Sequence, residues 1–296
     1  MATTQATAQK PTTGIRPGRH GALLPLGFSP LLLRMHGSIL RSEGLRGPVL
    51  FFSLYTYVLY LLQGVLSLGG AGGVVGLLSL VVGLLISFRS NSSSDRWHEG
   101  RRVFADLRGE IRNIVRGLKV EREEVFTILG MYPHAVKHHL RGETGTDHPS
   151  LQPLKSFKFF SRIDRTTSLP LSILSYLQYA APELSGNVST LSNLLNTAEK
   201  IKSTPIPLAL AIHLQQVLFL YLLCVPLQIV PSLGLYAVPV EAVTAFVFLG
   251  VEGIARELSD PFGYEENDLP LELFCTEIEK DIKDEVERKK WLGPVY

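Results

Sequence analysis

Two groups of residues in this chain have the types and spacing to hold or pass a ligand, and they would do so by different chemistry. His134, His138 and His139 lie in the run HAVKHH. On a helix, positions 134 and 138 share one face with 139 beside them, and neutral imidazoles so placed can ligate a metal ion. The second group is Leu80, Leu84 and Phe88, spaced i, i+4, i+8 and followed at once by Arg89 and the polar run Ser90-Asn91-Ser92-Ser93-Ser94. An apolar stripe that gives way directly to hydroxyls and an amide is how a helix lining a pore with a greasy constriction would be written, because ions pass such a constriction only when it is wide enough to stay wet. The same stripe could instead pack against a neighbouring span, and the polar run could be an interfacial helix face. Spacing does not separate these readings. No Gly-rich phosphate loop, paired catalytic carboxylates or nucleophile motif accompanies either group.

Both groups must be held by helices. Residues 77–102, LLSLVVGLLISFRSNSSSDRWHEGRR, begin apolar and end polar without a Pro or a Gly pair to break them, and the pattern predicts one helix that leaves a membrane and continues into water. The charges agree. No Asp, Glu, Lys or Arg lies between Gly47 and Phe88, and only Glu241 and Glu252 lie between Ser203 and Ala255, although the whole chain is 19% charged. Two charge-poor blocks around a charged middle describe an integral membrane protein with a large aqueous part. A formal net charge of +2 gives no reason to expect a nucleic-acid partner. Cys224 falls in the second apolar block and Cys275 in the acidic tail, so no disulfide between them is expected.

In chain order, residues 1–28 read as a disordered basic arm, poor in large apolar side chains, whose acid-free start also fits an organelle transit peptide. Residues 29–46 mix apolar and basic residues behind Ser29-Pro30, the pattern of a short interfacial helix. Residues 48–68 are uncharged and meet the length of about 20 residues that crosses a hydrocarbon core. A turn at Gly69, Gly70, Gly72 and Gly73 then returns the chain through a second span, 74–88, as a hairpin, so that 29–88 form interfacial helix, hairpin and pore helix. Residues 89–204 follow as a helical aqueous domain, with Trp97, Val103, Leu107, Ile111, Ile114 and Leu118 on one stripe, a second helix at 121–140 and mixed helix at 151–201 broken at Pro170, Pro182 and Gly186. Pro205-Ile206-Pro207 opens a second hairpin, 205–255, with spans at 208–230 and 235–251, and residues 256–296 form an acidic tail ending in a charged helix, 272–290. Arg34, Arg41 and Arg46 before the first span, with Arg89, Arg96, Arg101 and Arg102 after the second, put the hairpin ends and both termini in the cytosol. Arg96 is expected to pair with an acid such as Glu252 or Glu257, Trp97 to anchor the helix at the membrane boundary, and Glu241 and Glu252 to form ion pairs or interfaces.

Four stretches make the chain resemble the bestrophins over residues 31–283: LLLRMHGSIL, SFRSNSSSDRWHEGR, IPLALAIHLQQVLFLYLLCVP and VEGIARELSDPFGYEENDLPLELF. The resemblance implies a homopentameric ion channel in which five copies of the second span surround one axial pore. It assigns Leu80, Leu84 and Phe88 to the neck, Ser87 and Asn91 to the vestibule, and Ile206 and Pro207 to a second, cytosolic constriction. Two leucines in the neck are closer to the microbial pattern. Animal members hold calcium in an acidic clasp matched here by Asp260, Glu265 and Asp268, but Tyr264 and Asn267 interrupt the acidic run, so strong calcium regulation is not expected and no other cofactor is implied.

The expectation is therefore an all-α protein with four transmembrane helices in two hairpins and a helical cytosolic domain, assembled as a homopentamer in membrane lipid. It would pass anions, chiefly chloride, and catalyse nothing. The plasma membrane is the favoured location and an organelle membrane the other. The alternatives are a cation-selective channel of the same build, a scaffold whose neck never opens, and a membrane metalloenzyme built on HAVKHH, a spacing also found in the iron-binding histidine boxes of membrane desaturases. That enzyme needs further histidine clusters, and His20, His36, His98, His148 and His213 form no second box. Solvated histidines on a helix face account for the run.

Overall fold

The computed structural model describes residues 43–65, 72–118, 122–143, 148–159 and 168–292. The basic arm, the interfacial segment up to residue 42 and Gly69 and Gly70 of the glycine-rich turn lie outside these. The described residues are mostly helical, with short 3-10 turns and connecting loops, and no strand occurs among them. In order they are α1 (Glu43–Leu62), α2 (Gly72–Gly117), α3 (Glu123–Leu140), a 3-10 turn (Pro149–Ser156), α4 (Leu169–Ala180), a 3-10 turn (Pro182–Leu184), α5 (Ser185–Ser203), α6 (Leu208–Leu233), a 3-10 turn (Gly234–Tyr236), α7 (Ala237–Leu258) and α8 (Leu271–Leu292). Three stretches, Gly44–Leu62, Val75–Gly117 and Leu208–Leu258, contain helices long and apolar enough to cross a membrane, and the last holds both α6 and α7.

α2 carries the organisation of the molecule. It runs 46 residues without a break, apolar as far as Phe88 and charged beyond, because nothing in its interior removes a backbone N–H or clashes with the preceding turn. Its two halves enter two separate cores. In the charged half, Phe104, Leu107, Ile111 and Ile114 of α2 pack with Ile128, Leu129 and Tyr132 of α3, Leu191 and Leu195 of α5, and Ile278 and Ile282 of α8. In the apolar half, Val75, Val82 and Ile86 pack with Phe52 of α1, Leu218 and Leu222 of α6 and Ala245 of α7. The first two spans follow one another in the chain, yet each finds its main apolar partners on α6 and α7.

Several boundaries differ from the sequence expectation. α1 begins at Glu43, five residues before Pro48, which is accommodated in its first turns, and so absorbs the end of the expected interfacial segment. α7 extends past the apolar block to Leu258, and Gly186 sits inside α5 instead of breaking it. α6 ends at Leu233 and is capped by Gly234, whose φ of 54° is a conformation that side chains with a Cβ rarely adopt. Gly100 serves another purpose: Phe262 and Leu269 approach α2 so closely there that a Cβ would sit 3.2 Å from both, and this seats the acidic loop that follows α7.

The terminal helix is fastened to α2 by charge as well as by packing. Arg108, Arg112 and Arg116, one turn apart on α2, face Glu277, Asp281 and Glu285, one turn apart on α8. Arg108 forks onto Asp281 through Nε at 2.5 Å and Nη2 at 3.2 Å and onto Glu277 through Nη1.

Candidate functional site

The apolar stripe of α2 faces away from its own chain. Leu80, Leu84 and Phe88 are 73%, 57% and 63% exposed, while Val82 and Ile86, offset by two positions, are 0% and 7% exposed. A helix turns about 100° per residue, so the seam that meets α6 and α7 leaves the stripe on the opposite side. Packing against α1 is therefore not what occupies these three side chains. They extend over about 12 Å of helix; Ser87, also exposed, lies beside Phe88 on the same face, and the exposed Asn91 continues it one turn further. The polar run does not all point this way, since Ser93 is fully buried.

Arg96, two turns below Phe88, does something that sequence reasoning missed. Its guanidinium donates to three main-chain carbonyls: Nε to Ser259 at 3.0 Å, Nη1 to Thr204 at 2.6 Å and Nη2 to Ile201 at 2.5 Å. Two of these belong to the end of α5 and one to the end of α7, where helices leave carbonyls without intrahelical partners. The expected acid partner is thus a correction. Glu252 instead accepts from Gln215 Nε2 at 3.3 Å and Glu257 from Asn267 Nδ2 at 2.7 Å. The consequence is positional, because Thr204 immediately precedes Pro205-Ile206-Pro207. Arg96 ties the segment that carries Ile206 and Pro207 to the helix that carries the stripe. Pro207 then caps α6, its carbonyl accepting from Leu210 and Ala211, with Ile206 half-buried and Pro207 exposed.

Trp97 is held by its own chain: its indole N–H donates to the Asn267 carbonyl at 3.1 Å and its ring packs on the charged-half core. Glu241 and Glu252 form no ion pair among the described residues; no Lys or Arg lies within ten residues of Glu241 in the sequence, while Glu252 has Arg256 one turn on in α7 but accepts from Gln215 instead. Glu241 is fully buried and both of its carboxylate oxygens lack a hydrogen-bond partner there.

Of the four acidic residues in the loop after α7, Asp260 and Asp268 accept separate hydrogen bonds. Asp260 accepts from Lys202 Nζ at 2.7 Å, and Asp268 Oδ2 accepts from the Glu265 N–H at 2.7 Å within its own turn. Burial, reinforced by the neighbouring charges of Asp260 and Glu265, pushes the Asp268 carboxyl up to about 6. This loop is drawn toward α3 by Arg141, which donates to the carbonyls of Phe262 and Gly263, stacks over the Tyr264 ring at 4.1 Å and pairs with Glu272.

The HAVKHH histidines are not a solvated helix face. α3 is covered by α4, α8 and the Pro149–Ser156 turn, so His134 and His138 are buried and each histidine of the run meets a different carboxylate. His134 Nε2 lies 2.7 Å from Glu279 and His139 Nε2 lies 2.7 Å from Glu199, while His138 Nδ1 contacts Glu143. Burial, outweighing the pull of Glu143, lowers the His138 imidazole to about 4. A period of 3.6 finds one face of a helix, and α3 is enclosed on more than one.

Comparison with known proteins places this geometry. A family model described as bacterial/fungal bestrophin protein matches residues 25–284. A voltage-dependent anion channel-forming protein of Nostoc is 33% identical over 79% of this chain and 83% of that protein, and one of Synechocystis is 29% identical over 92% and 96%. A crystal structure of a single-substitution variant of a bacterial bestrophin homologue from Klebsiella pneumoniae superposes with a TM-score of 0.75 at 22% identity, covering 82% of this chain and 100% of that one.

Proposed function

Because this chain belongs to the bacterial and fungal bestrophin family, we propose that it is an anion channel whose neck is the exposed stripe of α2. The observation that carries the reading is the opposition on one helix: Val82 and Ile86 buried against α6 and α7, Leu80, Leu84 and Phe88 turned outward. Five copies of that stripe around an axis make three stacked apolar rings. Such rings have no group that replaces an ion's hydration shell, so they conduct when wide enough to remain wet and close by drying. Phe88 adds a preference, since the positive edge of an aromatic ring turned inward favours an anion. Ser87 and Asn91 then offer a hydroxyl and an amide to the rehydrated ion. Ile206 and Pro207 form the second constriction, held in register with the neck by Arg96. Chloride is the principal ion, α1, α2, α6 and α7 are four spans, both termini are cytosolic, and passage is passive.

Reconstitution in planar bilayers with unequal sodium and chloride tests this reading. The reversal potential is expected near the chloride equilibrium potential, and simultaneous Leu80→Ala, Leu84→Ala and Phe88→Ala substitution is expected to raise conductance. A reversal potential near the sodium value would replace the anion reading with the cationic one, and silence of both proteins would remove the pore.

A further inference from the structure

Away from the neck, in the charged half, two imidazoles and a carboxylate meet in a way that the channel reading does not use. His138 lies at the end of α3, Glu143 follows that helix and His148 caps the Pro149–Ser156 turn. Each offers one ligand atom, and these three atoms all lie within 4.8 Å of one another. The two imidazole rings are 3.9 Å apart between centroids. The Ser150 hydroxyl sits between them, 3.0 Å from His138 Nε2 and 2.9 Å from His148 Nδ1. Glu143 contacts His138 through one carboxylate oxygen and accepts from the Tyr264 hydroxyl through the other.

We propose that His138, Glu143 and His148 form a site for a divalent transition-metal ion, with zinc as its natural occupant. Two imidazoles and one carboxylate are a donor set suited to zinc, which holds nitrogen and oxygen ligands at about 2.0–2.1 Å and so spaces them by about 3.3 Å in a tetrahedron. The observed ligand atoms, all within 4.8 Å of one another, lie within about 1.5 Å of that spacing. Oxygen-preferring ions such as calcium and magnesium take larger sets of carboxylate and carbonyl ligands, which this trio does not supply. Three protein ligands leave a fourth position for water. The surroundings have the character of an outer ligand shell, in which a hydrogen-bonded carboxylate keeps its orientation. Tyr264 supplies that bond from the loop after α7. Of the charged groups nearby, Arg141 is neutralised by Glu272, and Lys137 lies 3.8 Å from the same carboxylate. An ion here would fasten the end of α3 to the Pro149–Ser156 turn and, through Glu143 and Tyr264, to the acidic loop.

The test is zinc titration of the full-length, detergent-solubilised protein after chelator treatment, read by bound metal per chain and by cobalt substitution. The parent is expected to bind one high-affinity zinc per chain, to give the visible absorption of four-coordinate cobalt, and to melt at a higher temperature with zinc than without. His148→Ala and Glu143→Gln should each weaken binding at least about tenfold and abolish the cobalt spectrum. His148→Gln serves if the alanine variant does not fold. His139→Ala, whose histidine pairs with Glu199, should bind as the parent does, which separates this site from the other histidines of the chain. Failure of the folded parent to bind zinc, or undiminished binding by folded His148→Ala or His148→Gln, would overturn the proposal. Neither outcome depends on whether the protein conducts.

Discussion

The two ends of α2 live under opposite rules. Around Leu107 the helix is surrounded by its own chain, in a core to which α3, α4, α5 and α8 all contribute. Around Leu84 one side is packed on α6 and α7, while the other presents large apolar side chains that no described residue covers. The charged half can bury its apolar surface alone. The apolar half cannot, and in the proposed channel it is completed by lipid on its outer faces and by further copies around the stripe. Exposed leucine in the first setting would be a defect, and in the second it is the surface that the proposed pore uses.

The comparison can be broken most sharply by one substitution made at both ends. Leu107→Ala removes a side chain that is 2% exposed and should cost about 2–5 kcal/mol in denaturant unfolding of the charged half. A loss below about 1 kcal/mol would mean that this core is less tightly packed than its burial implies. Next in size is Arg96→Ala, which orphans three carbonyls at once and is expected to cost about 2 kcal/mol. Arg96→Lys should recover only part of this, because an ammonium cannot reproduce the fork, and an unchanged melting curve for Arg96→Ala would detach the Ile206-Pro207 segment from α2.

A smaller effect depends on pH. Burial tends to raise the Asp281 carboxyl, but hydrogen bonds and charge from Arg108 and Arg112 prevail and hold it below the ordinary carboxylate range. A carboxyl lowered in the folded state stabilises above its unfolded pKa of about 3.9 and loses that contribution as the pH falls through the lower, folded value. Solvent around these part-exposed groups keeps the contribution on the order of 1 kcal/mol. Asp281→Asn should therefore lose it already at neutral pH and show a flatter decline in acid; a parallel decline in the two proteins would place the acid sensitivity elsewhere. Last comes Leu84→Ala, which should alter stability by less than about 0.5 kcal/mol while raising conductance. A large destabilisation would show that Leu84 is packed after all.

What the sequence discloses follows the same division. The change of solvent along α2 is legible because charge and hydropathy respond to the medium that a segment meets, and the i, i+4, i+8 stripe is legible because helical geometry alone sets it. Arg96 is not legible, since its partners are main-chain carbonyls at the ends of α5 and α7, which carry no side-chain signature. A weaker signal existed in Pro205 and Pro261, which mark two helix ends whose carbonyls need donors. The histidine run fails for a different reason. His134, His138 and His139 lie on a short helix covered from several directions, and polarity at a position does not reveal which distant carboxylate, Glu279, Glu143 or Glu199, will reach it. His148, ten residues beyond His138, is brought to it by the turn, and no periodicity relates the two.

The unbroken course of α2 also makes it a lever. Arg96 holds it at one point against the ends of α5 and α7, and Leu80 lies sixteen residues away, about 24 Å along the axis. Tilting a stiff rod of that length by about 5° about Arg96 would carry Leu80 sideways by about 2 Å, comparable with the size of a methyl group. Small adjustments at the carbonyl cradle are thereby magnified at the stripe, and a helix with a hinge between residues 88 and 96 would lose that mechanical advantage.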